Sequence, residues 1–107
     1  MSDPQQSAGI LDSTALHGVM AEHPHWEVRD GALVRSVTVP AFADGIALVA
    51  AVAAVADEVN HHPDIDIRWT TITFRLLSHS AGGITGKDAD LCGLIDAIVD
   101  ERVPQPL

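Results

Sequence analysis

The long apolar segment from Ala41 to Asn60, with an alternating segment on each side, limits the fold more than any other feature. Apolar residues recur in it at steps of three and four, which predicts a helix with one apolar stripe: Phe42, Ile46, Val49, Ala53, Ala56 and Val59. Many of the remaining positions are Ala or Val, so a second face of this helix could also be covered. Pro63 disfavours a helical conformation at His62, and we therefore expect the helix to end near His61.

The alternating segments on either side predict two β-hairpins. Before the helix, Trp26 and Val28 alternate with polar residues, Asp30-Gly31 follows, and a β-rich run then extends to Pro40. An Asp-Gly pair between two such runs is a strong hairpin signal. After the helix, apolar and polar residues alternate from Ile65 to Trp69 and again from Ile72 to Leu76. The apolar residues occupy odd-numbered positions in the first run and even-numbered positions in the second. This change predicts a tight turn or a bulge between the two runs.

Two further helices complete the predicted order α-β-β-α-β-β-α. Asp12 or Ser13 can cap a helix over 14–22, and Thr85 to Asp88 is a capping-box pattern before the stripe of Leu91, Leu94, Ile95 and Ile98. Grouped hairpins predict an α+β fold with two layers, a four-stranded antiparallel sheet and three helices on one face. We expect residues 1–12 to form a flexible tail and residues 13–103 to form the domain.

Charge, cysteine content and the N-terminal sequence together restrict the expected partners and compartment. The 107 residues include six Lys and Arg against fifteen Asp and Glu, a formal net charge of −9, so neither nucleic acid nor an anionic membrane surface is expected as a partner. Cys92 is the only cysteine, which excludes a disulfide framework and a cysteine zinc cluster within one chain. The N-terminus lacks the features of a secretory signal and the apolar segments are too short to span a bilayer. We expect a soluble, cytoplasmic protein.

Two adjacent histidines, His61 and His62, stand at the predicted C-terminal end of the long helix. The helix dipole favours a positive charge there, and Glu58 is close enough in sequence to orient either ring. Such an imidazole suits acid or base catalysis near neutral pH. The alternative is that the rings only cap free helix carbonyls, and the local sequence favours neither reading.

His79 is a further candidate, because it ends the last predicted strand between Ser78 and Ser80 and just before Gly82-Gly83, where backbone can approach a ligand closely. For other residues a structural role is the simpler reading. We expect solvated positions for His17, His23 and His25, a helix cap for Asp88, and a core or interface position for Trp69. Zinc is not expected, because the adjacent His61 and His62 side chains point apart.

Taken together, these residues resemble the signature of the pterin-4a-carbinolamine dehydratase family. The resemblance consists of Glu58-x-x-His61-His62-Pro63, then Trp69, His79 and Asp88 at fixed spacing. It extends over about 90 residues, with a first hairpin (His25-Trp26, then Leu33-x-Arg35) and a last strand and helix start (Leu76 to Thr85) that are similar to those of the family. The chain departs from the usual pattern at Val37 and Val39, where Phe is common, and at Ala41 and Gly45.

The resemblance implies a dehydratase that converts 4a-hydroxytetrahydropterin to quinonoid dihydropterin and water. It implies catalytic roles for His61, His62 and His79, supporting roles for Glu58 and Asp88, and substrate contacts from Asn60, Trp69, Leu77, Ser78 and Ser80. It also implies no metal and no cofactor, because the pterin is the substrate, and a homodimer or homotetramer. The alternative is a non-catalytic, protein-binding or assembly-factor member of the same fold, and the presence of all three histidines favours the enzyme.

Overall fold

The computed structural model describes residues 9–103, which form seven elements in the predicted order. These are α1 (Ser13–Glu22), β1 (Glu27–Arg29), β2 (Ala32–Thr38), α2 (Phe42–Val59), β3 (Asp64–Arg68), β4 (Thr71–Leu76) and α3 (Gly86–Arg102). The four strands form one antiparallel sheet in the order β1-β2-β4-β3, and the predicted α+β fold is confirmed. No helix within residues 9–103 has both the length and the apolar character needed to cross a membrane.

Both predicted hairpin turns are two residues long. Asp30 and Gly31 join β1 to β2 with φ values of 51° and 76°, the combination that a type I′ turn needs. Trp69 and Thr70 join β3 to β4, and Trp69 also has a positive φ of 52°. The tight turn expected between Trp69 and Ile72 is therefore confirmed. Because β3 and β4 are antiparallel, the start of β3 lies beside the end of β4, where Asp64 pairs with Arg75.

The buried stripe of α2 overlaps the predicted one only in part: Ala56 is buried and Val49 packs partly buried against the core, but the other predicted positions are exposed. Its buried residues are Gly45, Leu48, Val52 and Ala56, whereas Phe42, Ile46 and Val59 of the predicted stripe are about half exposed. In a helix so rich in Ala and Val, more than one stripe has apolar spacing, and close packing selects between them. A Cβ atom at position 45 would lie 2.9 Å from Ile72 Cδ1, so the glycine lets this side of α2 approach β4.

The unburied apolar side of α2 is a separate surface. We call Phe42, Ile46, Ala50 and Ala53 the outer stripe, and all four are exposed. They lie within roughly 80° of one another on a helix of 3.6 residues per turn. Exposed apolar stripes of this kind are typical of association surfaces.

A partly buried carboxylate, that of Asp96 on α3, connects the first and last parts of the domain. It accepts hydrogen bonds from Trp26 Nε1, at 2.6 Å, and from the guanidinium of Arg35, and its Oδ2 lies 2.9 Å from His23 Nδ1. Expecting a solvated position for His23 was therefore wrong, because its partner lies 73 residues away in sequence. A Cβ at Gly93 would lie 3.3 Å from His23 Cε1, so this glycine lets the imidazole rest on α3. His17 and His25 are exposed, as predicted.

The first described residues are attached to the domain. Ile10 forms an antiparallel bridge with Thr85, and Leu11 N–H donates to Ile84 O at 2.8 Å. Leu11 also packs against the core. Residues 1–8 of the predicted tail lie outside the described residues, while the chain from Ile10 onward belongs to the packed structure.

Removing the Asp96 carboxylate tests this connection. Asp96→Ala leaves Arg35 buried without its counter-charge, and we expect the free energy of unfolding to fall by about 3–5 kcal/mol in urea titrations. The exposed Asp100→Asn on the same helix serves as control and should change it by less than about 0.5 kcal/mol. Replacing the pair together, Arg35→Met with Asp96→Leu, should cost less than Asp96→Ala alone. Equal values for Asp96→Ala and Asp100→Asn would contradict the assignment.

Candidate active site

A cavity of about 250 Å³ opens where the end of α2, the end of β4 and the start of α3 meet. Its lining residues are Asn60, His61, His62, Leu77, Ser78, His79, Ser80, Thr85 and Lys87. The topology explains this convergence, because the α2–β3 connection and the segment after β4 lie at the same end of the antiparallel β3–β4 pair. Seven of the ten site residues proposed from the sequence thus line one cavity.

The way α2 ends directs the two adjacent histidines into this cavity. Asn60 has a left-handed conformation, with φ 54° and ψ 44°, and its N–H donates to Ala56 O and Asp57 O. His61 N–H also donates to Ala56 O, at 3.1 Å. This left-handed cap stops the helix, and Pro63 prevents its continuation. The predicted end of the helix near His61 is confirmed.

The fully buried carboxylate of Asp88 holds the half-buried ring of His61. Asp88 Oδ1 lies 2.6 Å from His61 Nε2, and Oδ2 accepts hydrogen bonds from Ser78 Oγ at 2.8 Å and Thr85 N at 2.9 Å. A carboxylate that accepts from two other donors is an acceptor toward His61 as well. The proton of the short contact therefore lies on Nε2, and Nδ1 keeps its lone pair. Asp88 completes the predicted capping box of α3 and also positions His61.

The other two histidines are more exposed and face carboxylates from different elements. His62 Nε2 lies 2.9 Å from Oδ1 of Asp57, on α2. His79 Nε2 lies 3.9 Å from Oδ2 of Asp64, at the start of β3. Each of the three rings thus has its own acidic neighbour, and only that of His61 is buried.

Three proposed residues do not line the cavity: Asp88 acts on it through His61, whereas Glu58 and Trp69 contact no histidine of the site. Glu58 is exposed and contacts neither ring, so the expectation that it orients His61 was wrong. The left-handed cap breaks the helical spacing from which that pairing was predicted, and brings Asp57 to His62 instead.

Trp69 is 78% exposed in the β3–β4 turn. It lies at the far end of β3, roughly 15 Å from the cavity, and is neither a core residue nor a lining residue of this chain.

Sequence reasoning missed Asp57, Asp64, Thr85 and Lys87 as parts of the site. Asp57 pairs with His62 at a spacing of five, which the three- and four-residue spacing of a helix does not predict. Asp64 and Lys87 approach the site through strand pairing and through the placement of α3, which local spacing does not encode. Thr85 was assigned only to the helix cap, although its hydroxyl also bonds Ser78 Oγ at 2.8 Å.

The cavity histidines do not gather into a metal-ligand cluster. Within residues 9–103, the only group of His, Cys and acidic residues with ligand atoms within 4.8 Å of one another is His23, Cys92 and Asp96. Its two α3 members lie one and two turns further along the helix than Asp88. The Asp96 carboxylate of this group already accepts hydrogen bonds from Trp26 and Arg35. Burial, with a smaller contribution from Asp96, raises the pKa of the Cys92 thiol well above its usual range. Cys92 is thus a small buried residue of the core.

The fold and the cavity define a class: a small α+β domain in which a helix end and a strand end present three imidazoles to a common cavity. Comparison with known proteins identifies the family. Residues 10–98 match the family described as pterin 4 alpha carbinolamine dehydratase, and the chain belongs to this family. A relative from Mycolicibacterium vanbaalenii is 57% identical over 90 residues, covering 84% of this chain and 97% of its own. One from Mycobacterium sp. strain KMS is 50% identical over 91 residues, covering 85% and 97%. Both are named as candidate pterin-4-alpha-carbinolamine dehydratases.

Two solved structures share the fold. A transcriptional coactivator/pterin dehydratase from Brucella melitensis superposes with a TM-score of 0.80 at 23% identity, over 84% of this chain and 98% of its own. A pterin dehydratase-like protein described as a RuBisCO assembly factor superposes with a TM-score of 0.56 at 20% identity, over 68% and 84%. At these identities the likeness concerns the fold alone.

The protonation of His61 can be read directly. We expect long-range ¹H–¹⁵N spectra of the free protein to show His61 protonated at Nε2 and bare at Nδ1 above neutral pH, because Asp88 accepts the Nε2 proton. Asp88→Asn should abolish this single tautomer, whereas Asp100→Asn at the exposed end of α3 should preserve it. The exposed His17 provides an internal reference for an averaging ring. A His61 ring that is bare at Nε2 would refute the assignment.

Proposed function

We propose that this protein is a hydro-lyase that converts 4a-hydroxytetrahydropterin to quinonoid dihydropterin and water. The observation that carries the proposal is the convergence of His61, His62 and His79 on one cavity, each beside its own carboxylate. Membership of the pterin 4 alpha carbinolamine dehydratase family supports the same reaction. The substrate would be a pterin, and the reaction needs neither a metal nor a cofactor.

The reaction needs one proton donor and one proton acceptor. The C4a–O bond breaks as the leaving hydroxyl gains a proton, and the N5–H bond breaks as C4a and N5 form a double bond. Product and water together contain every atom of the substrate, and no electrons are exchanged with a third molecule. In our proposal His61 accepts the N5 proton at Nδ1. The leaving hydroxyl takes its single proton from His62 when it departs from one face of the pterin and from His79 when it departs from the other.

The remaining lining residues would hold the bicyclic ring. Asn60, Leu77, Ser78 and Ser80 surround the histidines on the two segments that meet at the cavity. Ser78 is already engaged, because its hydroxyl donates to Asp88 and its N–H donates to Gly83 O at 3.0 Å. We therefore expect Ser78 to fix the cavity wall, and Asn60, Leu77 and Ser80 to contact the pterin.

A non-catalytic role is the second candidate, because one protein of the same fold is described as a RuBisCO assembly factor. Such a role does not require three histidines with matched carboxylates, and their presence here favours catalysis. The outer stripe of α2 leads us to propose a homodimer or homotetramer that covers Phe42 and Ile46. A cytoplasmic location stays a prediction drawn from the sequence.

Enzymatic activity can be followed by the absorbance change of 4a-hydroxytetrahydropterin generated in the cuvette. The protein should accelerate dehydration above the spontaneous rate, and His61→Ala or His79→Ala should each lower kcat by about 10²–10⁴-fold, the usual contribution of one acid or base. The exposed His17→Ala is the matched control and should leave kcat unchanged. If His79→Ala turns over at the wild-type rate, His79 does not belong to the catalytic set. No acceleration by the wild type would reject the dehydratase assignment.

Association through α2 can be measured by sedimentation equilibrium. We expect a mass that is a multiple of the 11.3 kDa chain, and we expect Ile46→Glu to shift it toward the monomer, because a buried unpaired carboxylate disfavours the interface. Glu22→Gln, on the exposed end of α1, is the control. A monomeric wild type, or an Ile46→Glu variant that associates normally, would exclude the outer stripe as the interface.

A further inference from the structure

Two residues that precede α1 lie against the segment that leads into α3. Ile10 forms an antiparallel bridge with Thr85, and Leu11 N–H donates to Ile84 O at 2.8 Å. We call Ile10 and Leu11 the N-terminal arm. Leu11 is partly buried against the core and anchors the arm, whereas Ile10 is 61% exposed. Neither residue lines the histidine cavity, so neither contacts a substrate held there.

The segment that the arm contacts, residues 83–85, also contacts the chain after β4. Gly83 O accepts a hydrogen bond from Ser78 N–H at 3.0 Å, whereas the next carbonyl, Ile84 O, accepts from Leu11. Successive carbonyls of an extended chain point to opposite sides. The segment therefore lies in the middle of a small three-stranded arrangement, with the wall of the cavity on one side and the arm on the other.

The lack of a side chain at Gly83 lets the arm lie close to this segment. A Cβ atom at Gly83 would lie 3.1 Å from Cδ1 and Cγ1 of Ile10 and 3.3 Å from its Cγ2. Any larger residue at position 83 would therefore push the Ile10 side chain outward. The contact between the arm and the segment is thus a close one, and a single methyl group can test it.

The same segment sets the position of the Asp88 carboxylate. Thr85 N–H donates to Asp88 Oδ2 at 2.9 Å, and the Thr85 hydroxyl lies 2.8 Å from Ser78 Oγ. Ser78 Oγ donates to the same carboxylate oxygen, and Asp88 Oδ1 holds His61 Nε2 at 2.6 Å. Thr85, Ser78 and Asp88 are all buried, so a hydrogen bond lost among them is costly. A shift of residues 83–85 therefore moves the carboxylate that orients His61.

On the basis of the proposed function, we propose that Ile10 and Leu11 are positioning residues for the dehydration. They hold residues 83–85 against the chain after β4, and thereby keep Nδ1 of His61 directed at the substrate. Both residues act through a main-chain bridge and apolar packing, and they touch no reacting atom. Their effect is on the geometry of the base, where a displacement of about 1 Å can cost up to about 10²-fold in rate.

The test removes the anchor of the arm and compares it with an equal change elsewhere. Leu11→Ala should lower kcat about tenfold, while KM changes by less than about twofold, because the residues expected to contact the pterin are unchanged. Leu16→Ala is the matched control, since Leu16 on α1 is also partly buried against the core. Both variants should lower the midpoint of thermal unfolding, but only Leu11→Ala should slow the reaction. Leu11→Met keeps the apolar volume and should restore kcat.

The tautomer of His61 gives a second readout, which does not depend on activity. In long-range ¹H–¹⁵N spectra, Leu11→Ala should weaken the signature of a single tautomer protonated at Nε2, and Leu16→Ala should preserve it. The proposal requires both changes, in kcat and in the spectrum, for Leu11→Ala and neither for Leu16→Ala, and any other result overturns it. If the wild type does not accelerate dehydration, the proposed activity fails, and the spectra alone then decide the role of the arm.

Gly83→Ala displaces the arm without removing a core contact, and it serves if Leu11→Ala does not fold. The added methyl group pushes the Ile10 side chain outward, and we expect kcat and the His61 signature to fall. Adding Ile10→Ala removes the collision and keeps the main-chain bridge, so the double variant should recover both. Wild-type behaviour of Gly83→Ala, or a double variant that is no better than Gly83→Ala, would contradict the proposal.

Discussion

The fully buried carboxylate of Asp88 is the interaction on which the rest of the site depends. Burying a carboxylate is unfavourable unless its oxygens are satisfied, and here both oxygens are, by His61, Ser78 and Thr85 N–H. The Asp88 carboxylate thus caps the start of α3 and holds the segment after β4 through Ser78. It also sets the tautomer of His61 on the α2–β3 connection. The three parts of the chain that surround the cavity cannot move independently without breaking a buried hydrogen bond.

A second carboxylate on the same helix, that of the partly buried Asp96, connects α3 to the N-terminal half of the domain. Asp96 lies eight residues after Asp88 and receives Trp26, Arg35 and His23 from the N-terminal half of the domain. Between them, Asp88 and Asp96 attach α3 to the α2–β3 connection, to the first hairpin and to the end of α1. The carboxylates beside His62 and His79, those of Asp57 and Asp64, are by contrast exposed, as are both rings.

Much of this could be read from the sequence, and the failures have physical causes. Three signals were local, and each corresponds to the expected turn or cap in the structure. They are the Asp30-Gly31 pair, the shift of the apolar positions after Trp69, and the capping box from Thr85 to Asp88. The buried stripe of α2 was misread because Ala and Val occupy several faces, and only the contact of Gly45 with Ile72 distinguishes them. His23, Glu58 and Trp69 were misplaced for a related reason. The surroundings of His23 and Trp69 depend on Asp96 and on the direction of β3, which no nearby residue encodes. Those of Glu58 depend on the left-handed conformation of Asn60, a local feature that regular helical spacing does not include.

The central claim is that three imidazoles surround one pterin ring, with Nδ1 of His61 directed at N5. A crystal structure of the protein with bound 7,8-dihydrobiopterin tests it most directly. We predict that the bicyclic ring occupies the cavity between the α2–β3 connection and the segment after β4, with His61 Nδ1 about 3 Å from N5 and the rings of His62 and His79 beside C4a. A pterin bound elsewhere, or one whose N5 faces open solvent with His61 turned away, would contradict the account.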